Sequence, residues 1–339
     1  MKIGFTLDGR ASAQHGEESR HAEKLGYNQI VSHETGYNPF FPLVIAAQAT
    51  QKVDLVTSIA VAFARSPMDI AYTAWDLQAL SRGRFILGLG SQVRGHIVRR
   101  FNMPWSSPAS RMREYILALR AIWDSWQQNA RLNFSGQYYH FNLMPPVFNP
   151  GAIEHPNIPV QIAAVNPQML QVAGEVCDGV LLHTFISKKY TNEIVLPNLE
   201  LGATKSGRTL DELEISGGGF IVSGSCNDEV SVNRERVRKR IAFYASTRSY
   251  ESVMSLHGWQ ATAQNLYRMS VDGKWHDMAG EITDDMLDTF AVVGTYDTIV
   301  DKIIERFGAF STTINFSIPM STPADEVLLK EMLKRLQSS

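Results

Sequence analysis

The 339-residue sequence contains little cysteine and no long apolar run, and both absences narrow what the protein can be. Cys177 and Cys226 are far apart and form no CxxC pair, so we expect neither a disulfide framework nor a cysteine-based metal site. No apolar run approaches the roughly 18 residues of a membrane span. Met1 leads into the strand-like segment KIGFTL without a signal-peptide pattern. The sequence therefore predicts a cytoplasmic protein with no membrane partner.

An excess of charge of one sign is also missing. The chain has 32 Lys and Arg residues against 34 Asp and Glu residues, a formal net charge of −2. This balance gives no general attraction to nucleic acid or to an acidic membrane. A hydrophobic fraction of 44% is ample for a core. We therefore expect the partner to be a small molecule, and we predict no metal site.

Strand-like and helical segments alternate along the whole chain. Eight strands, each followed by a helix, favour a parallel (β/α)8 barrel over an open doubly wound sheet. The doubly wound alternative lacks the GxGxxG fingerprint after its first strand. The predicted strands are Ile3–Leu7, Gln29–Glu34, Val53–Ala60, Arg84–Gly90, Pro159–Ala164, Gly179–Thr184, Ile215–Ser223 and Thr312–Ile318.

We predict a single domain over residues 1–339, with insertions near 91–107, 127–158 and 225–290. In the second insertion, Leu132–Asn142 has Ser-Gly at its centre and is typical of a small hairpin. The last part of the third insertion is less regular, and we predict the next helix over Thr295–Phe307.

The most informative stretch is the fourth predicted strand together with the loop after it. Phe85–Leu89 is an apolar run that Gly88 interrupts, and Gly90 ends it where a backbone or a ligand can approach closely. Ser91 and Gln92 then offer a hydroxyl, an amide and backbone N–H groups, which suit an anionic cofactor. A buried strand followed by a solvated basic loop explains the pattern equally well. The basic residues of this loop are Arg94, His96, Arg99 and Arg100.

The chain resembles the bacterial-luciferase-like flavin and deazaflavin oxidoreductases over essentially its whole length. SRGRFILGLG at 81–90 and LVTSIA at 55–60 resemble the fourth and third strands of that family. Gly26-Tyr27, the segment at 173–179 and Val293-Gly294-Thr295 agree with it in the same order. The resemblance implies a (β/α)8 TIM barrel with insertions, a cofactor at the carboxyl ends of the strands, and a homodimer.

The resemblance also implies which residues hold the cofactor. Ser58-Ile59 falls where many members carry a cis peptide bond behind the cofactor ring. An ordinary core role for Ser58 and a helix N-cap role for Asn166 are the alternatives. The implied cofactor-binding residues are Thr35, Ser58, Ile59, Ala60, Gly90, Ser91, Gln92, His96, Ala163, Ala164, Val165 and Asn166.

Similarity at residues 59–67 and 103–105 to members assigned to coenzyme F420 favours F420 over FMN. F420 carries a phosphodiester and an acidic tail, which guanidinium groups can bind. Arg65, Arg94, Arg99 and Arg100 are the candidates for this contact, with a plain surface location as the alternative.

The acid–base groups depart from the family pattern. Counting without gaps from Gly26, the family's Asp-His pair falls on Glu34 and Thr35, and its strand-four Glu falls on Val93. The chain thus keeps a carboxylate and lacks two proton-transfer groups, for which His33 is the candidate substitute. Because a regular strand directs only one of the two neighbours inward, we predict Glu34 as the main catalytic residue and His33 as the second candidate. The alternative for Glu34 is a fixed hydrogen-bond acceptor that orients the cofactor or caps a loop.

The implied function is F420-dependent hydride transfer between the deazaflavin and a small organic substrate. One alternative is an FMN-dependent monooxygenase, and in either case a flavin or F420 reductase would be an indirect partner. Another is a non-catalytic flavin-binding protein, which the missing His and Glu favour. A barrel hydrolase would need a second acid beside Glu34, and none is evident at the other predicted strand ends.

Overall fold

The computed structural model describes residues 1–339 as an alternating series of strands and helices. The strands are β1 (Lys2–Leu7), β2 (Gln29–Ser32), β3 (Asp54–Thr57), β4 (Ala60–Val61), β5 (Phe85–Gly90), β6 (Phe134–Ser135), β7 (His140–Phe141), β8 (Val160–Ala164), β9 (Gly179–Leu182), β10 (Glu214–Ser216), β11 (Phe220–Gly224), β12 (Ala291–Thr295) and β13 (Thr313–Asn315). The helices are α1 (Gln14–Leu25), α2 (Phe40–Ala49), α3 (Pro67–Ser81), α4 (Arg94–Arg99), α5 (Pro108–Gln127), α6 (Pro167–Val176), α7 (Lys188–Tyr190), α8 (Leu196–Lys205), α9 (Asn227–Ala245), α10 (Glu251–Ser255), α11 (Gln260–Val271), α12 (Asp284–Phe290), α13 (Ile299–Phe307) and α14 (Pro323–Gln337).

Parallel strands close into a barrel. The hydrogen-bonded order is β3-β2-β1-β13-β10-β9-β8-β5-β4, and β3 pairs with β5 as well, which completes the ring. Because β3 and β4 are two halves of one barrel strand, the ring has eight strands. The predicted (β/α)8 barrel is confirmed.

Side chains on the barrel strands alternate between the helix layer and the barrel interior, as the two-residue period of a strand requires. Ile30 and Leu55 face outward and are fully buried in the main core. Their neighbours Val31 and Val56 lie opposite one another in register, and with Ile86 they form a separate apolar cluster. This cluster fills the middle of the barrel, which separates the two ends of its interior.

Charged and amide groups fill the interior at the amino ends of the strands. Lys2 Nζ lies 2.6 Å from Glu214 Oε1 and 3.9 Å from Asp54 Oδ2. Gln161 Nε2 donates to Glu214 Oε2 at 3.2 Å. Burial opposes the charge on Lys2, but the hydrogen bond to Glu214 and the negative charges of Glu214 and Asp54 together raise the Lys2 pKa. Burial raises the pKa of Asp54. This end of the barrel is therefore closed by an ionic layer.

The structure corrects the prediction of one strand over Ile215–Ser223. β10 ends at Ser216, and β11 begins at Phe220 and pairs with β12 outside the barrel. Gly217 and Gly218 separate them with φ values of 87° and 129°, which only glycine adopts easily. The Gly217 N–H still donates to the Thr313 carbonyl at 2.8 Å, which is a ladder bond of the β10–β13 pair.

Four other predicted segments also change. The predicted helix over Thr295–Phe307 begins at Ile299, because residues 291–295 form strand β12. The less regular stretch before it contains helices α10, α11 and α12, and the basic loop after β5 contains helix α4. The second strand ends at Ser32, so His33 and Glu34 lie beyond it. The predicted hairpin is present as the antiparallel pair β6–β7.

Candidate active site

The carboxyl ends of the barrel strands form an open mouth above the apolar cluster of Val31, Val56 and Ile86. Asn315 continues the inward-facing series of β13 and is exposed, whereas its outward neighbour Ile314 is buried. Solvent therefore enters the barrel at this level. Gly88, Gly90 and Ala163 are inward residues of β5 and β8, and their small size leaves room for a ligand.

A cis peptide bond joins Ser58 to Ile59 between β3 and β4, which confirms the expectation drawn from the family resemblance. A Cβ atom on Gly90 would lie 2.8 Å from Ile59 Cδ1, so the Ile59 side chain rests on the bare backbone of Gly90. Ser58 and Ile59 are half-buried, whereas Ala60 is fully buried. The structure thus brings Ser58, Ile59 and Gly90 together and places Ala60 behind them.

The loop after β5 carries polar groups beside Gly90. Ser91 is half-buried, and Gln92 has φ of 56° while its Oε1 accepts from the Val93 N–H at 2.9 Å. His96 is exposed on α4, and partial burial together with the charges of Arg100 and Arg99 lowers its pKa. Arg94, Arg99 and Arg100 are exposed, and none has a carboxylate within 4.0 Å.

Arg111 of α5 fixes the far end of this loop, and sequence reasoning missed it. Its buried guanidinium lies 4.4 Å from the Phe63 ring centroid. It donates to the Pro104 carbonyl at 3.0 Å and to Tyr139 Oη at 2.8 Å. Trp105 packs edge-on against Phe63 at 6.2 Å. The loop is therefore anchored to both α5 and the β6–β7 hairpin.

The loop after β8 is tied to the segment between β11 and β12. Ala163 faces the mouth, Ala164 is buried, and Val165 is half-buried. Asn166 occupies the N-cap position of α6 but makes no capping bond, so the N-cap role for its side chain is wrong. Its Nδ2 donates to the Ser249 carbonyl at 3.1 Å, and its Oδ1 accepts from Ser252 Oγ at 3.0 Å.

The Glu34 carboxylate is already fully engaged within the protein. Its two oxygens accept from the two terminal nitrogens of Arg65 at 2.7 and 3.0 Å, and Oε2 also accepts from the Val61 N–H at 2.7 Å. The side chains of Glu34 and Arg65 are only 9% and 17% exposed. The geometry provides the fixed-acceptor role, and it directs Arg65 at Glu34 instead of at a cofactor. The general acid–base role of Glu34 stays a prediction.

His33 faces a different carboxylate. Its Nε2 lies 3.3 Å from Asp8 Oδ1, and the two side chains are 34% and 84% exposed. The buried ring of His15 positions the Asp8 loop, because its Nε2 meets the Asp8 carbonyl at 3.0 Å and its Nδ1 accepts from the Ser12 N–H at 3.2 Å. Thr35 is exposed beyond this pair.

The position of Asp8 contradicts the prediction that no second acid lies at a strand end. It directly follows β1, and that position was a readable signal, since the carboxyl ends of parallel strands meet at one face of a barrel. It pairs with His33, whereas the Glu34 carboxylate is held by Arg65.

Aromatic rings from the segment between β11 and β12 surround His183, which lies just after β9. The His183 ring centroid lies 4.3 Å from that of Tyr244 and 4.8 Å from that of Tyr250. Its Nδ1 accepts from the Phe185 N–H at 3.0 Å. Burial, with a smaller effect of Arg240, lowers the pKa of His183 to about 4. His183 is therefore neutral at pH 7.

No set of three or more His, Cys, Asp or Glu side chains is arranged to hold a metal ion. Cys177 is buried and Cys226 is exposed, and neither forms a disulfide. None of the helices combines the length and the apolar character that crossing a membrane requires.

Known proteins resemble this chain in sequence and in fold. The family profile described as luciferase-like monooxygenase matches residues 4–313. An uncharacterized protein of Mycobacterium tuberculosis is 44% identical over 284 residues, which cover 84% of each chain. The 5,10-methylenetetrahydromethanopterin reductase of Archaeoglobus fulgidus is 27% identical over 319 residues, 92% of this chain and 91% of the relative. The structure of the coenzyme F420-dependent tetrahydromethanopterin reductase from Methanopyrus kandleri is similar with a TM-score of 0.77 at 22% identity, covering 99% and 98% of the two chains.

The Glu34–Arg65 pair should contribute to stability as a coupled unit. A double-mutant cycle with Glu34→Gln and Arg65→Gln should give a coupling free energy of about 1–3 kcal/mol, because each single variant leaves a largely buried partner incompletely satisfied. Urea denaturation followed by circular dichroism measures it. The exposed Lys330–Glu326 pair is the control and should give about 0.5 kcal/mol or less. Equal coupling in the two cycles would contradict the structural role of Glu34.

Burial of neutral His183 should make stability depend on pH. Its folded pKa of about 4 lies below the ordinary value of 6.5, so the unfolded chain takes up the proton first as pH falls. The stabilisation is complete above pH 6.5 and is lost between pH 6.5 and 4. His183→Gln should therefore flatten the decline in unfolding free energy between about pH 6.5 and 5, and His276→Gln, at an exposed position, should not. Identical slopes for the two variants would show that His183 is not held neutral.

Proposed function

We propose that this chain, which belongs to the luciferase-like monooxygenase family, is an oxidoreductase that uses coenzyme F420 to move a hydride to or from a small organic substrate. The observation that carries the proposal is the cradle at the barrel mouth, where Ile59 rests against Gly90 beside the small residue Ala163. A flat ring system fits such a surface, which a side chain at residue 90 would obstruct.

The choice of F420 over FMN is supported by two similarities. The relative from Archaeoglobus fulgidus is a methylenetetrahydromethanopterin reductase, and the similar structure from Methanopyrus kandleri is described as F420-dependent. The exposed Arg94, Arg99 and Arg100 also suit a cofactor with a phosphodiester and an acidic tail, because they lack carboxylate partners within the chain. Arg65 is not available for this contact, since Glu34 holds both of its terminal nitrogens.

The residues of the chain would bind and orient both reactants. Ser58, Ile59 and Gly90 would support the ring, and Ser91 and Gln92 would offer hydrogen bonds at its edge. When bound, F420 supplies the position that gives or receives the hydride. The protein then contributes orientation and exclusion of water, which lower the barrier without any covalent step on a side chain.

His33 is the group we propose for proton exchange with the substrate. It lies at the mouth, it is one-third exposed, and its Nε2 is 3.3 Å from Asp8 Oδ1. A carboxylate beside an imidazole orients the ring for proton exchange. Glu34, the next residue, is a positioning residue: it holds Val61 and Arg65 where the third strand resumes after the cis peptide bond.

FMN-dependent monooxygenation is the second candidate, and the description of the family as monooxygenases favours it. Reduced FMN would then come from a separate flavin reductase. The two candidates differ in which cofactor the same cradle holds.

Fluorescence titration of the purified protein with F420 and, separately, with FMN tests the proposal. We expect F420 to bind at least about tenfold more tightly, a difference of roughly 1.4 kcal/mol. Gly90→Ala should weaken F420 binding, because the new methyl group pushes Ile59 into the cradle, while Gly280→Ala, whose Cβ would meet nothing within 4 Å, should not. A preference for FMN would support the monooxygenase, and failure to bind either cofactor would refute both candidates.

Replacing His33 should lower the turnover rate but leave the affinity for the cofactor unchanged. In a screen of alcohols, ketones and activated alkenes with F420, His33→Gln should lower kcat by about 10²-fold, the lower end for loss of general acid–base help, and leave the Kd for F420 unchanged. Asp8→Asn should lower kcat by a smaller factor, because His33 then loses the contact that orients its ring. An unaltered kcat in His33→Gln would exclude proton exchange by this residue.

A further inference from the structure

A second polar cleft of about 510 Å³ lies between α9, β12 and α13. None of its lining residues belongs to the cofactor cradle at the barrel mouth. Lys188 lines it from α7, and Lys302 and Arg306 line it from α13. Cations that lie close together repel one another. Whether carboxylates in the cleft neutralise them therefore decides whether the cleft attracts an anion.

Arg306 has no counter-ion. Its Nη2 donates to the Thr289 carbonyl, its Nε is buried without an acceptor, and no carboxylate lies within 4.0 Å of its guanidinium. Burial lowers the pKa of Arg306, which reflects the cost of keeping this charge away from water. A guanidinium in this state gains much from an anion that supplies the missing acceptors.

The acids of the cleft do not neutralise it. Both Asp288 oxygens are taken by Arg234, at 2.7 and 3.1 Å. Glu305 is exposed and has no ion pair with Lys302 or Arg306. The cleft therefore holds four cations against two carboxylates, and three of the cations have no acidic partner.

The remaining geometry points to a ligand with a charged head and an organic body. Lys302 Nζ donates to the Val293 carbonyl at 2.7 Å, which fixes the ammonium at the edge of β12 and leaves its other protons free. Lys188 is exposed at the start of α7 and has no carboxylate within 4.0 Å. Residues 291–293 form an apolar wall of the same cleft, in which Val293 is half-buried and Ala291 and Val292 are 5% and 6% exposed. A phosphate alone would leave that wall uncovered.

We propose that this cleft is a binding site for a small phosphate monoester, separate from the cofactor site. Lys188, Lys302 and Arg306 bind the phosphate oxygens, and the wall formed by residues 291–293 contacts the organic group. The site does not depend on which cofactor the barrel mouth holds.

Isothermal titration calorimetry of the full-length protein at low ionic strength tests the proposal. It measures the Kd for phenyl phosphate and, in parallel, the Kd for inorganic phosphate. We expect phenyl phosphate to bind more tightly than inorganic phosphate and to lose affinity as salt is added. The double variant Lys188→Gln/Lys302→Gln should raise its Kd by roughly tenfold or more, since two charge-assisted contacts are lost. Lys52→Gln/Lys334→Gln removes the same charge from exposed positions elsewhere and should change the Kd by less than about twofold.

Repeating the titration with saturating F420 separates this proposal from the proposed function. Unchanged binding of phenyl phosphate supports a distinct site, and its displacement by F420 overturns it. Equal affinity for both probes overturns the phosphate-ester assignment. If the two double variants have equal thermal unfolding midpoints and equal affinity for phenyl phosphate, the cleft lysines do not bind the phosphate. Arg306→Lys keeps a charge but loses the planar fork, and an unaltered Kd in this variant would contradict the contact with Arg306.

Discussion

The hydrogen bonds around Glu34 hold together the place where the barrel ring changes from β3 to β4. Its backbone N–H donates to the Ile59 carbonyl at 3.1 Å, and its carboxylate accepts from the Val61 N–H and from Arg65. Arg65 in turn donates to the Val61 carbonyl at 3.1 Å. One ion pair thus satisfies backbone groups that the interrupted ladder leaves free, and it positions Ile59 against Gly90. The cradle at the barrel mouth depends on this arrangement.

The rest of the mouth is built outward from that cradle. On one side Arg111 anchors the loop after β5 to α5 and to the β6–β7 hairpin. On the other side Asn166 binds Ser249 and Ser252, which fastens the segment between β11 and β12 to the loop after β8. Each connecting segment is therefore tied to the rigid barrel by polar contacts. Such support keeps a binding site in place although its residues lie on loops.

Charge is distributed differently at the mouth and at the cleft behind β12. The arginines of α4 are exposed to solvent, which screens them, so their lack of partners costs little. Arg306 is partly buried and lacks a counter-ion, so an anion in the cleft would stabilise it far more. In the ionic layer at the amino ends of the strands, the partly buried charges of Lys2, Asp54 and Glu214 pair with one another.

The sequence by itself determined the barrel, because the alternation of apolar strand segments with amphipathic helices is a local pattern that survives in the fold. It also determined, through the family resemblance, the cis peptide bond at Ser58-Ile59 and the meeting of that segment with Gly90. Only the tertiary structure decided which partner each charged side chain has. Glu34 is adjacent to His33 in sequence, yet one faces Arg65 and the other faces Asp8, because contacts between side chains about 25 or more residues apart have no local signature. The break at Gly217 and Gly218 has the same origin: the sequence offers the two glycines, and only pairing with β12 shows that the chain leaves the barrel there.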